Sequence, residues 1–142
     1  MVVDVMSRSK FEQYAFEKHN KTSIVISIAS YGESEVFAVC NEANRILAIK
    51  QVFFNDTDDR NPIYGGIDTN TAIEIAHFLR TNYSNTVDKI IVHCGAGQSR
   101  SAGVAAAILK YYTGDDSKIF NNPRYTPNML CYRRILEALM IG

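Results

Sequence analysis

Residues 93–101 of the chain are His93-Cys94-Gly95-Ala96-Gly97-Gln98-Ser99-Arg100-Ser101. An apolar run, residues 90–92, leads into this stretch, and an alanine-rich segment, residues 102–109, follows it. This order predicts a strand, a tight turn and the N-terminus of a helix. The backbone N–H groups of such a turn converge on one concavity, and the helix dipole adds positive potential there. The stretch is therefore predicted to bind an anion, and Arg100 adds a planar, permanently charged group that suits two phosphate oxygens.

Cys94 stands at the edge of this predicted anion site, with its sulfur facing the bound group. A nucleophilic cysteine must be a thiolate, and helix N-termini and nearby cations favour that form. The indicated chemistry is attack of the Cys94 sulfur on phosphorus, which gives a phosphocysteine that water then hydrolyses. The residues predicted to bind the phosphate, here called the phosphate-binding loop, are Gly95, Ala96, Gly97, Gln98, Ser99 and Arg100.

Four residues in this stretch are predicted to support the loop. Gly95 and Gly97 let the backbone bend toward a ligand with no Cβ in the way. Ser101 either hydrogen-bonds the cysteine sulfur or caps the helix that starts there. His93 is expected to orient the loop through hydrogen bonds rather than act as a base, because an ionised cysteine needs none.

The pattern His-Cys-x-x-Gly-x-x-Arg-Ser resembles the signature of the cysteine-dependent protein tyrosine phosphatase superfamily, which includes dual-specificity enzymes. Here it lies two-thirds of the way along the chain, as in the dual-specificity type. More loosely, the chain as far as Pro127-Asn128 resembles the compact bacterial and phage-type phosphatases. The alternative is a buried structural cysteine beside a helix-capping arginine.

The composition is that of one soluble globular domain covering residues 1–142, with 46% apolar and 21% charged residues. Fifteen basic residues balance fifteen acidic ones, so no net charge favours nucleic acid or an anionic membrane. Three widely spaced cysteines predict reduced thiols, and we expect a cytoplasmic monomer. His19 and His77 have no metal-ligating partners at useful spacing, so no metal is expected, and the sequence implies no organic cofactor.

Strand-like and helix-like segments alternate along the chain. Apolar or β-branched runs predict strands at residues 2–6, 23–29, 45–54 and 89–93. Capping signals predict helices that start at Ser9, at Thr71, near Ala102 and after Thr126, the third ending at Gly114. Residues 36–40 form a short apolar stretch with no assigned element. The alternation predicts a single-domain α/β fold, with a mostly parallel central sheet and helices on both faces.

An acidic loop, residues 55–66, follows the third predicted strand and should open on the same sheet edge as Cys94. Tyrosine leaves poorly as an anion, so a carboxylic acid must protonate the leaving oxygen and then act as base for the attacking water. The candidates are Asp56, Asp58 and Asp59. The resemblance to the bacterial type, in which the pattern Phe-x-Asp occurs, favours Asp56.

These observations favour a phosphomonoester hydrolase acting on phosphotyrosine, or on phosphoserine and phosphothreonine, in proteins. One alternative keeps the chemistry but changes the substrate to a small phosphorylated metabolite or nucleotide. The other is a non-catalytic module that binds phosphopeptides, which the intact Cys94 and Arg100 disfavour.

Overall fold

Four parallel strands form the centre of the molecule. The computed structural model describes residues 1–36 and 38–142. Its strands are β1 (Val3–Ser7), β2 (Ser23–Ala29), β3 (Ile46–Phe53) and β4 (Lys89–Cys94), in the spatial order β1-β4-β2-β3. β4 is thus an inner strand, paired with β1 and β2. Because all strands are parallel, the segments that follow β2, β3 and β4 leave from one edge of the sheet.

Helices cover both faces of this sheet. They are α1 (Arg8–Ala15), α2 (Thr69–Asn82), α3 (Arg100–Thr113), α4 (Ser117–Phe120) and α5 (Met129–Ile141), with a 3-10 turn at Pro62–Tyr64. α1 packs on one face, and α2, α3 and α5 pack on the other. Within the described residues, no helix combines the length and apolar character needed to cross a membrane.

The side chains of β2 point alternately to the two faces of the sheet and contribute to two separate parts of the core. Ile24 and Ile26 pack in the larger core with α2, α3 and α5, whereas Val25 packs in a smaller core with Phe11 and Tyr14 of α1. Successive side chains of a strand point to opposite faces, so one fully buried strand supplies both cores. The predicted α/β fold, with a parallel sheet covered on both faces, is confirmed.

α3 is the central helix of the larger core, and its first ten residues are all buried. Its many alanines have small side chains, which lets the helix approach both the sheet and α5 closely. The helix ends as predicted at Gly114, which has the left-handed conformation that glycine adopts readily (φ 77°).

The predicted caps of α1, α2 and α5 are wrong by two or three residues, and the α5 cap is described with the site below. α1 is capped by Ser7, whose hydroxyl accepts from the Lys10 N–H, and not by Ser9. α2 is capped by Asp68, whose carboxylate accepts from the Thr71 N–H at 2.7 Å, so Thr71 lies inside the first turn. α4 and the 3-10 turn were not predicted. In the unassigned stretch 36–40, Phe37 lies outside the described residues, and the other four belong to no helix or strand.

Candidate active site

The phosphate-binding loop connects the end of β4 directly to the start of α3, as predicted. The Arg8 N–H donates to the Gly95 carbonyl oxygen at 3.0 Å, which ties the loop to the first turn of α1. Gly97 has φ 70°, and a Cβ there would lie 2.6 Å from the backbone of Met6 and Ser7. Gly97 is therefore required for packing against the end of β1, whereas a Cβ at Gly95 would meet only Arg100 Nη2, at 3.6 Å.

Cys94 is almost fully buried at the end of β4. Its Sγ lies 3.0 Å from the Ser101 Oγ. Of the two predicted roles for Ser101, the structure shows the contact with sulfur, since α3 begins one residue earlier with Ser99 at the cap position. A hydroxyl at this distance can donate to a thiolate and so stabilise the ionised cysteine.

The Arg100 side chain is 7% exposed, and the two edges of its guanidinium differ. Nη1 donates to the Phe54 carbonyl oxygen at 2.7 Å and to the Ser30 hydroxyl at 2.8 Å, at the ends of β3 and β2. Nε has no acceptor within the part of the chain that the structure describes. One edge is thus anchored to the sheet, and the Nε–Nη2 edge is left for an oxyanion.

Of the three candidate acids, Asp56 is the one that contacts the phosphate-binding loop. Its Oδ1 accepts from the Ser99 hydroxyl at 2.8 Å and from Asn128 Nδ2 at 3.0 Å. The Asp59 carboxylate instead accepts from the Asn61 N–H at 2.8 Å inside its own turn. All three aspartates are exposed to solvent.

Two residues of this site were not predicted from the sequence, Ser30 and Asn128. Ser30 lies 70 positions from the Arg100 that it contacts. Asn128 is the cap of α5, which therefore starts later than the Thr126 cap predicted, and its amide also reaches the acidic loop. The signal that could have found Asn128 is its capping residue type just before an apolar helix.

His93 is buried and stacks on Phe11 of α1, with ring centroids 4.5 Å apart. Neither ring nitrogen has a partner with full hydrogen-bond geometry among the described residues. Stacking on Phe11 therefore holds the ring, and the role of His93 in orienting the loop stays a prediction. Burial lowers the pKa of His93 to about 4, and the nearby Cys94 backbone offsets only part of that effect. The ring is neutral at physiological pH.

The remaining cysteines and histidines lie in ordinary structural surroundings. Cys131 is fully buried, and burial raises the pKa of its thiol. The negative charge of Asp56 raises this pKa further, by a smaller amount. Cys40 is exposed. A ring nitrogen of His19 lies 2.8 Å from the Tyr14 carbonyl oxygen, and His77 lies 3.5 Å from the Thr81 hydroxyl.

One family model matches part of the chain. The family model of the Rit1 DUSP-like domain matches residues 69–133, which is less than half of the chain. No curated protein matches the sequence.

Solved structures match over almost the full chain. Tk-PTP in its active form is 14% identical, with 97% of this chain and 90% of that chain covered, at a TM-score of 0.57. The Yvh1 phosphatase domain from Chaetomium thermophilum is 19% identical, with 99% of this chain and 90% of that chain covered, at a TM-score of 0.55. PTPMT1 in complex with PI(5)P is 14% identical, with 99% of this chain and 91% of that chain covered, at a TM-score of 0.60. The chain therefore has the fold of the cysteine-based protein tyrosine phosphatases, as its signature predicts.

Proposed function

We propose that the chain is a cysteine-dependent phosphomonoester hydrolase of the protein tyrosine or dual-specificity type. The observation that carries this proposal is the meeting of three groups at one sheet edge. The Cys94 sulfur is in contact with Ser101, the free edge of Arg100 is left for an oxyanion, and Asp56 is hydrogen-bonded to the phosphate-binding loop. A nucleophile, an anion-binding group and a general acid are the three components that the reaction requires.

The proposed reaction has two steps. The Cys94 thiolate attacks phosphorus while the bond to the leaving oxygen breaks, and that oxygen takes the proton of Asp56. Water then attacks the phosphocysteine, Asp56 accepts a proton from that water, and phosphate leaves as the thiolate re-forms. The Ser101 hydroxyl stabilises the thiolate before the first step and after the second. Since Cys94 must stay reduced, the proposed setting is the reducing cytoplasm.

Exposed aromatic side chains beside the acidic loop support an aryl phosphate in a protein as substrate. Tyr31 and Tyr64 are 57% and 55% exposed. Both are fixed by Asn55, whose Oδ1 accepts from the Tyr31 N–H and whose Nδ2 donates to the Tyr64 carbonyl oxygen. The second candidate is a small phosphomonoester, which the PI(5)P complex of the similar PTPMT1 structure favours.

Leaving-group dependence tests the proposed chemistry. Asp56→Asn should lower kcat/KM for phosphotyrosine by roughly 10²–10⁴-fold, the usual contribution of a general acid. The variant should cleave 4-nitrophenyl phosphate to the phosphoenzyme nearly as fast as wild type, because an acidic phenol needs no proton. Steady-state and burst kinetics with both substrates, in the presence of a chelator, give the two values.

Asp58→Asn and Asp59→Asn are the matched controls and should behave like wild type. If either reproduces the leaving-group effect while Asp56→Asn does not, Asp56 is not the acid. Cys94→Ser should bind vanadate but not turn over, and residual turnover within tenfold of wild type would contradict the phosphocysteine. A wild-type protein that binds phosphopeptides without hydrolysing any phosphomonoester would be a binding module.

A further inference from the structure

We propose that Asn128 is a positioning residue for the general acid, an inference that rests on the proposed function. The Asn128 side chain donates from Nδ2 to Asp56 Oδ1 at 3.0 Å and to the Thr57 carbonyl oxygen at 3.0 Å. One amide group therefore holds two successive residues of the acidic loop. Asp56 is itself exposed, so these bonds and the one from Ser99 fix a side chain that solvent would otherwise leave mobile.

The position of Asn128 is itself fixed from three directions. Its Oδ1 accepts from the Cys131 N–H at 3.0 Å, which caps α5, and its backbone N–H donates to the Ser99 carbonyl oxygen at 3.0 Å. Its carbonyl oxygen packs so closely on α3 that a Cβ at Gly103 would overlap it. Asn128 is only 5% exposed. The acidic loop is thus held against the helix that carries Arg100.

The hydrogen-bond pattern fixes the orientation of the Asn128 amide. Its oxygen must face the Cys131 N–H, so its NH₂ group must face Asp56 and Thr57. Because both Ser99 and Asn128 donate to Asp56 Oδ1, the proton of the neutral acid belongs on Oδ2. Asn128 thereby selects which oxygen of Asp56 delivers the proton to the leaving group.

Asn128→Ser separates this role from the capping role. Serine caps a helix about as well as asparagine, but its shorter side chain cannot donate to Asp56 and Thr57 from the same place. Asn128→Ala loses both the cap and the donor. The two variants should lose activity equally, whereas only Asn128→Ala should show a clearly lower Tm.

The expected effect on turnover has a specific form. For phosphotyrosine, kcat/KM should fall roughly 10- to 100-fold in Asn128→Ser, since a misplacement of about 1 Å can cost up to 10²-fold. For 4-nitrophenyl phosphate the rate of phosphoenzyme formation should change less than threefold, and vanadate should bind as to wild type. A defect in folding or in phosphate binding would instead lower both rates together.

A double-mutant cycle with Asp56→Asn completes the test. If Asn128 acts through Asp56, adding Asn128→Ser to Asp56→Asn should cost little further activity toward phosphotyrosine. An equal loss in both backgrounds, or equal losses on both substrates, would overturn the proposal. Failure of the proposed function looks different, because wild type itself would then hydrolyse neither substrate.

Discussion

At the scale of single residues, the guanidinium of Arg100 does two things that no other side chain can combine. Its Nη1 edge is bonded to Phe54 and Ser30, at the ends of two different strands. In the proposed reaction its opposite edge binds the equatorial oxygens of the phosphoryl group. Lysine has a point charge on a flexible chain, so it can satisfy the anchor or the ligand but not both with fixed geometry.

We therefore predict that Arg100→Lys is nearly as damaging as Arg100→Ala. Each should lower kcat/KM by on the order of 10²–10³-fold, the usual cost of losing one fixed donor to a developing oxyanion. Phosphate affinity, measured as competitive inhibition, should fall in parallel. The control is Arg133→Lys on the exposed side of α5, which should leave both quantities unchanged. Recovery of most activity with lysine would mean that Arg100 supplies only charge.

At the scale of elements, the sequence predicted the type of each segment more accurately than the residue at which each helix begins. β2 was predicted with its observed bounds, because a short run rich in β-branched residues is typical of a buried strand, and Ser27 within it is itself buried. Helix starts offer several capping residues within three positions, and tertiary contacts select among them. Ser7 caps α1 because it also ends β1, where it pairs with Cys94. Asn128 caps α5 because its other atoms bond to Ser99 and Asp56.

In the candidate site too, some residues could be predicted from the sequence and others could not. Cys94, Ser101 and Arg100 lie within eight positions, so their grouping follows from local geometry and was predicted. Ser30 and Asn128 join the site only through the sheet and the packing of α5 on α3. No spacing in the sequence encodes such contacts, since they depend on how elements far apart in the chain pack together.

Two glycines with left-handed backbones give an element-scale prediction. Gly97 (φ 70°) is packed against β1, whereas a Cβ added at Gly114 (φ 77°) would have no atom within 4 Å beyond its immediate chain neighbours and its own helix. Gly114→Ala should cost only the conformational term, about 1–2 kcal/mol, and keep full activity. Gly97→Ala adds overpacking of about 1–3 kcal/mol and should also abolish phosphate binding, because the loop must move away from β1.

Urea unfolding and vanadate binding of the two alanine variants provide the measurement. Equal losses of stability with phosphate binding intact in Gly97→Ala would show that the loop does not depend on its contact with β1. Gly114→Ala is the matched control for the left-handed backbone alone.

At the scale of the whole molecule, strand β4 is buried between the two cores, and this burial removes the His93 ring from solvent. Its ring is 0% exposed and stacks on Phe11 of the smaller core. Burial lowers the pKa of His93 from 6.5 to about 4 in the folded chain. The unfolded chain therefore binds a proton between these two pH values that the folded chain does not bind, and the stability of the fold must fall as the pH falls through this window.

We predict that His93 destabilises the fold in acid by about 3 kcal/mol in total, given that one unit of pKa corresponds to about 1.4 kcal/mol. His93→Phe keeps the stacked ring and removes the titration. The difference in unfolding free energy between wild type and His93→Phe should be constant above pH 7. From pH 6.5 down to pH 4, wild type should lose stability relative to His93→Phe. Urea titrations at each pH measure it, and the exposed His77→Phe is the control for replacing a histidine ring by a phenyl ring. If the wild-type and His93→Phe curves run parallel, or if wild type gains stability on acidification, His93 is not held neutral in this pH range, and the fold accommodates a charged ring next to Cys94.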